Sequence, residues 1–339
     1  MKRLILPLLL CLALAFSLFG CGLKADEEPV VPEPSAAIYT ETPIPDYEQS
    51  VDYSWKPNVL SEVYSDIYGE TFVADYGAMI DAFLNYENSF PCSGAENVDA
   101  INYAAASCFP LIYMDVLYVQ YDEAQKVGIL DYTMTKEAHL AAIEVFKKSV
   151  TDFITLSVKK SDNELTRALA LYMNFSAIVS YDYAALDSEV MVDVSPYRAL
   201  LYHEGICQSF GPAYAYLCLQ MGIDAVAAGG LSTDDTAHEW TLVKLDGSYY
   251  YMDTTFENGE GGLGLKYFGM TTAERVAAGS YIEKTFNIGE CNELWGTEIS
   301  VDNERFSSLR NATFAVLDRE HCRINCTDII GAEWSFPLE

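Results

Sequence analysis

Positive charge is what this sequence has least of. Its 339 residues carry 20 Lys and Arg against 50 Asp and Glu, a formal net charge of −30. Nucleic acid and anionic lipid surfaces both demand a positive footprint, so neither is an expected partner. The acidity instead suits a solvated, extracellular surface. Histidine is scarce too, at 4, and no paired-histidine motif occurs. The acid-bearing stretches "STDDTAH" (232–238) and "ENGEGG" (257–262) lack calcium-loop spacing. They read as exposed loop acids, metal-assisted chemistry is set aside, and no cofactor is expected. Nor is there an internal repeat of fixed period, so stacked-repeat architectures are not expected.

What is present starts with a leader. "MKRLILPLLLCLALAFSLFGCG" has Lys2 and Arg3, a short apolar stretch, then Gly20 and Cys21, the parts of a secretion signal over residues 1–20. The apolar run is only marginally long enough for a bilayer and closes on that small residue, so it does not read as a membrane helix. "LFGC" resembles a bacterial lipobox, in which the cysteine is lipidated and becomes the mature N-terminus, although Phe19 is unusual there. Cys21 is the expected lipidation site; a plain secretion signal would change the anchoring and not the compartment. Residues 21–50, rich in proline and acid, form an extended spacer. The expected location is extracytoplasmic, lipid-anchored to the bacterial cell membrane and touching it through that anchor only.

From residue 51 the composition is that of a folded protein, and its length exceeds one typical domain. Residues 137–159 place Leu140, Ile143, Phe146, Val150, Phe153 and Ile154 at helical spacing, and 164–180 do so with Leu165, Leu169, Tyr172, Phe175 and Val179. A mainly helical region over 51–163 is therefore predicted. A catalytic unit over 164–285 and a C-terminal extension over 286–339, with strands such as "TFAVLDRE", follow. The Tyr-rich "LIYMDVLYVQYDE" reads as a core or interface stripe. His139 and His203 fall on predicted helices as structural residues.

Pro196 opens a short helical turn that leads into "GICQSFGPAYAYLCLQMGI". Phe210, Tyr214, Leu217 and Met221 recur at helical intervals, which predicts a buried helix from just after Cys207 to near Gly222. A cysteine at a helix N-terminus feels the positive end of the dipole and the unpaired N–H groups, both of which favour thiolate. A nucleophile would sit there, whereas the commoner role of a lone helical cysteine is structural. Pro212 falls early enough in the helix to do little harm. Cys218 is about 16 Å further along the same helix, beyond the roughly 7 Å between Cα atoms that a disulfide tolerates. Cys92 with Cys108 is a candidate disulfide, and Cys291, Cys322 and Cys326 offer other pairings. "HCRINC" (321–326) reads as disulfide or free thiols rather than a metal site.

"AHEWTLVKLDGSYYYMDTTF" (237–256) carries Asp246-Gly247 between alternating apolar strands, a strong hairpin signal. With those two as the turn, Leu245 faces Ser248, and the same register sets Asp253 opposite Trp240 and diagonal to His238 on one face. The Cβ separation is then about 7 Å or somewhat less, within reach of a carboxylate-to-imidazole hydrogen bond. A slip of one residue would part them. A thiol, an imidazole that takes and returns its proton, and a carboxylate that orients the ring make a complete acyl-transfer set.

"GICQSFGPAYAYLCLQMGIDA", "HEW" and "YYYMDTTF", with the Tyr-Asp of "SYDYAAL" ahead of them, resemble the signature blocks of the transglutaminase-like superfamily over about a third of the chain, residues 165–270. The resemblance implies an α+β fold, a papain-like domain with its nucleophile helix packed on an antiparallel sheet. It also implies Cys207 as nucleophile, His238 as general base and acid, and Asp253 as orienting carboxylate. Ser209, Gly211-Pro212 and Thr241 depart from the family pattern. The backbone N–H of Cys207 is the first expected oxyanion donor; Gln208 and Tyr181 are candidates for the second. The implied reaction passes through a thioester released to water or to an amine. Peptide, protein or cell-wall peptide amides are the expected substrates, with hydrolysis favoured. The alternative is a catalytically idle module that binds protein or peptide at the cell surface.

Overall fold

Before any regular element forms, an extended strap ties itself to the middle of the chain. The Tyr53 hydroxyl donates to Gln220 Oε1 (2.5 Å) and Trp55 Nε1 to the Tyr216 hydroxyl (2.6 Å), while Gln220 Nε2 donates to the Lys56 carbonyl (2.7 Å). Gln220 and Tyr216 are fully buried, so the strap supplies partners that those polar groups need in the interior. The computed structural model describes residues 44–188, 193–232, 237–279, 281–286 and 299–339. The leader, Cys21, spacer residues 21–43 and Cys291 lie outside the described residues.

Helix α1 (Glu62–Asn85) is capped by the Ser61 side chain and kinked at Gly69, where φ is 76°. Strand β1 (Ser89–Pro91), helix α2 (Ala95–Cys108) and strands β2 (Gln120–Asp122) and β3 (Val127–Ile129) follow, the strands forming a small antiparallel sheet in the order β1-β3-β2. The two amphipathic segments of the sequence are α3 (Lys136–Ser157) and α4 (Glu164–Ile178), capped by Thr135 and Asn163. Cys92 and Cys108 are free thiols, not the disulfide expected. Cys92 precedes the N-terminus of α2 and Cys108 closes its other end. Fourteen helical residues, about 20 Å, hold them apart.

Strand β4 (Ser180–Tyr181) is followed by α5 (Tyr183–Leu186) and α6 (Pro196–Tyr202), and β4 pairs in parallel with β5 (Glu204–Gly205). Helix α7 (Cys207–Gln220) is buried along almost its whole length. It packs against β6 (Ala225–Ser232) and β7 (Ala237–Leu245) of an antiparallel sheet ordered β8-β7-β6-β9, with β8 at Ser248–Met252 and β9 at Tyr281–Phe286. Helices α8 (Thr254–Gly259) and α9 (Thr272–Gly279) flank the sheet, and β10 (Phe314–Asp318), β11 (Arg323–Thr327) and β12 (Glu333–Pro337) make a C-terminal antiparallel sheet. The architecture is mixed α and β with small antiparallel sheets. Residues from Ile44 to Glu339 form one compact unit. Among the described residues no helix is long and apolar enough to cross a membrane.

The residues at 211 and 241 answer to how closely α7 approaches β7, and Ser209 to the entry of the helix. A Cβ on Gly211 would stand 2.7 Å from the Trp240 carbonyl oxygen, so only glycine allows the helix to lie there. The Thr241 hydroxyl donates to the Gly211 carbonyl (2.8 Å). Ser209 Oγ accepts from the Ile206 N–H (3.2 Å) and donates to the Val194 carbonyl (2.6 Å), fixing the entry to the helix.

Candidate functional site

The hairpin register is Thr241 with Met252 through Leu245 with Ser248, the pairing that Asp246-Gly247 predicts. β8 ends one residue before Asp253, which turns out of the strand to cap α8 by accepting from the Phe256 N–H at Oδ1 (2.9 Å). Its other oxygen, Oδ2, meets His238 Nε2 at 2.8 Å. His238 is 9% exposed and Asp253 is fully buried. Burial opposes ionisation of Asp253, yet His238 and the Arg275 guanidinium, helped by the Phe256 N–H, outweigh it and hold the carboxyl well below its usual range. An ionised carboxylate only accepts, so Nε2 carries a ring proton and donates it to Oδ2. Phe256 stacks on the imidazole at 4.6 Å between centroids and Trp240 lies 5.9 Å away, which limits the ring's rotation.

Arg275 is a component the sequence did not disclose. It comes from α9, donates from Nη2 to Asp253 Oδ2 (2.9 Å) and lies with its guanidinium carbon 3.7 Å from the centre of the Trp240 ring. No motif marks it, and its partners are 35 and 22 residues away. A search for buried arginines would not have found it from periodicity, because α9 is only eight residues long.

Cys207 opens α7 and is 8% exposed. The backbone N–H groups of Glu239, the residue after His238, and of Gln208 lie near enough to its sulfur to favour the thiolate, without a hydrogen bond to it. The structure therefore brings the thiol to the same stretch of β7 that carries the imidazole. Burial pushes the thiol up to about 11, with the carboxyls of Glu239 and Asp253 adding to the effect and the two N–H groups opposing it. The low-pKa thiolate expected from the helix N-terminus is not the resting form, because desolvation exceeds the dipole's contribution. Tyr181 is brought to the site: burial first, then the nearby Cys207 thiol, raises its phenol to about 12, and the nearby Cys207 backbone N–H opposes the rise. The Gln208 side chain is exposed, so what this residue offers the sulfur is its backbone N–H.

Behind the carboxylate, the Tyr172 hydroxyl lies 3.1 Å from the Asp253 carbonyl and 3.0 Å from Glu257 Oε2, and the Tyr267 N–H donates to that same oxygen (2.9 Å). Burial pushes Glu257 up to about 7. A second imidazole–carboxylate pair, His139 Nδ1 with Asp115 Oδ2 (2.8 Å), is remote from any nucleophile. Its Nε2 is bound to the Phe83 carbonyl (2.8 Å) and it is fully buried, so both ring nitrogens are used structurally. Among the described residues no cluster of three His, Cys, Asp or Glu side chains is arranged to hold a metal ion.

No protein-family model and no curated protein matches the chain. Part of the fold is similar to two solved structures. One is described as a TGase, 18% identical over 36% of this chain and 34% of that one, with a TM-score of 0.29. The other is described as a candidate cysteine protease from Cytophaga hutchinsonii, 16% identical over 33% of this chain and 37% of that one, with a TM-score of 0.26. The chain thus spans about a third of the length of each.

Proposed function

We propose that this protein is an exported thiol acyl-transfer enzyme that cleaves peptide or cell-wall peptide amides and is anchored through a lipid on Cys21. The observation that carries the reading is the hydrogen-bonded His238–Asp253 pair, with the residue after His238 on β7 close to the Cys207 thiol. As Sγ forms its bond to the amide carbon, His238 Nδ1 takes the thiol proton and the carbonyl π pair moves onto oxygen. The oxyanion is met by the Cys207 N–H, with the Tyr181 hydroxyl as the second donor. Collapse breaks the C–N bond, and the amine leaves with the proton that His238 returns, giving a thioester. Water then attacks with His238 again as base, the carboxylic acid departs and Cys207 regains its proton. Asp253 stabilises each imidazolium stage without taking the proton itself.

A second reading, a binding module without turnover, is favoured by one observation, the burial of Cys207 and the raised pKa of its thiol. One experiment separates the two: iodoacetamide alkylation of Cys207 against pH, mapped by mass spectrometry, in wild type and in His238→Ala. Labelling that develops well below pH 11 and is lost in the variant supports the enzyme. A single rise near 11 in both proteins supports the idle module.

A further inference from the structure

Tyr181 reaches the site on a strand too short to hold it there. Strand β4 has two residues and pairs in parallel with the two of β5. Two backbone bonds join them, from the Ser180 N–H to the His203 carbonyl and from the Asp182 N–H to the Gly205 carbonyl, both 2.8 Å. They set Tyr181 beside Gly205, two residues before Cys207, and the Tyr181 ring centre lies 6.1 Å from that of Phe210 on the first turn of α7. Parallel pairs are the weaker kind per residue. Two such bonds, each worth about 1 kcal/mol, are small against the loss of backbone freedom in the residues they order.

Arg198, on α6, adds what this ladder lacks. Its Nη2 donates to Asp182 Oδ2 (2.8 Å) and to Glu204 Oε2 (2.6 Å), and its Nη1 donates to the Asp193 carbonyl (3.2 Å). Asp182 is the residue after Tyr181, and Glu204 stands three residues before Cys207. One guanidinium nitrogen therefore ties the segment that carries the phenol to the segment that leads into the nucleophile. The side chains of Arg198 and Asp182 are 23% and 10% exposed, so this charge-assisted bond is partly shielded from water and keeps more of its strength than an open surface pair. The other Asp182 oxygen, Oδ1, caps α5 by accepting from the Ala185 N–H (2.9 Å). That second bond fixes the carboxylate on which the guanidinium pulls.

We infer that Arg198 is a positioning residue that holds the Tyr181 phenol in register with the Cys207 backbone N–H, where the oxyanion of the acyl-transfer step would form. The inference rests on the acyl-transfer reading for the role of Tyr181, and on hydrogen bonds alone for the clamp. Arg198 touches neither substrate nor the reacting atoms. It acts by limiting the slip of β4 against β5, and a displacement of about 1 Å is enough to slow a step that needs aligned groups.

The clamp is tested by comparing two reactions of Cys207, each mapped by mass spectrometry: acylation by p-nitrophenyl acetate, which passes through an oxyanion, and alkylation by iodoacetamide, which does not. In Arg198→Met the ratio of acylation to alkylation is expected to fall by roughly ten- to a hundredfold. Lost stability alone would not move this ratio, because both reactions use the same folded thiol. In the Tyr181→Phe background the same substitution is expected to change the ratio by less than about twofold, since residues that act through one group are not additive. Amide hydrogen exchange reads the clamp directly: Ser180 and Asp182 are expected to exchange faster in Arg198→Met while the α7 amides keep their wild-type rates. An unchanged ratio, an equal fall in both backgrounds, or unchanged exchange at Ser180 and Asp182 overturns the inference. Should Arg198→Met fail to fold, Glu204→Ala takes its place, since it removes one arm of the clamp at a residue whose side chain is 45% exposed. A severalfold fall in the ratio is then expected, and no fall overturns the clamp. Failure of the acyl-transfer reading has a different signature. The ratio is then insensitive to Tyr181→Phe itself, which removes the donor role and the positioning role together, whereas a fall in Tyr181→Phe without one in Arg198→Met removes the positioning role alone.

Discussion

His238 and Arg275 bind the same atom: Nε2 of one and Nη2 of the other lie 2.8 and 2.9 Å from Oδ2 of Asp253. The carboxylate is therefore shared between a guanidinium and an imidazole. Arg275 keeps Asp253 ionised in a fully buried position, and His238 receives a carboxylate whose orientation is already fixed.

Removing that cation will leave a buried carboxylate with one titratable partner. Arg275→Met is expected to destabilise the protein by about 3–5 kcal/mol near neutral pH. The sign of the pH effect follows from Asp253's depressed pKa. Its contribution is present above the unfolded carboxylate pKa and is lost as pH falls through the folded value. In wild type that loss is confined to strongly acidic solution, and in Arg275→Met it moves to higher pH. Urea unfolding midpoints between pH 3 and 8 check this; parallel curves for the two proteins would contradict it.

Glu257 gives the opposite slope. Burial pushes its carboxyl up to about 7, so the native state holds a proton that the unfolded chain releases near 4.5. Its favourable contribution is complete below about 4.5 and disappears as pH rises to about 7, an effect on the order of 3 kcal/mol. Glu257→Gln keeps an oxygen for the Tyr172 hydroxyl and the Tyr267 N–H and removes the titration. Its stability is expected to lose this decline between pH 5 and 7, measured by thermal unfolding across that range.

The close approach of α7 to β7 sets a third expectation. Gly211→Ala drives a methyl against the Trp240 carbonyl, and backbone must shift, at a cost of about 1–3 kcal/mol. Thr241→Val removes only the hydroxyl bond to Gly211 and is expected to cost about 1 kcal/mol. Because Cys207 is one turn from Gly211, Gly211→Ala will also change the rate of Cys207 alkylation, whereas Thr241→Val will change it little. Equal effects on alkylation would show that helix position does not govern the thiol.

These contacts explain what was legible in the sequence. The hairpin was, because Asp246-Gly247 and strand alternation fix register locally, and that register brought His238 to Asp253. The buried helix after Cys207 was, through its apolar spacing. Arg275 was not, since its value lies in one contact made across the fold from a short helix. The strap over 44–61 was not either, because its bonds to Tyr216 and Gln220 join positions more than 160 residues apart. The Cys92–Cys108 pairing is not made because the helix over Ala95–Cys108 holds the two thiols apart, a separation that no single residue of that segment signals.

Tyr181 allows the acyl-transfer reading to be separated from simple thiol reactivity. Its phenol lies close to the Cys207 thiol and backbone N–H, where the proposed reaction would place a tetrahedral oxyanion. Alkylation by iodoacetamide is a displacement at carbon with no such oxyanion, whereas acylation by p-nitrophenyl acetate passes through one. Tyr181→Phe should therefore slow acylation of Cys207 by about 10²-fold, the usual effect of losing one oxyanion donor, and leave alkylation within about twofold. Stopped-flow release of nitrophenolate, set against mass-mapped alkylation on the same samples, measures both. A parallel fall in the two rates would mean that the phenol only supports the thiol's surroundings, and would leave the Cys207 N–H as the single assigned donor.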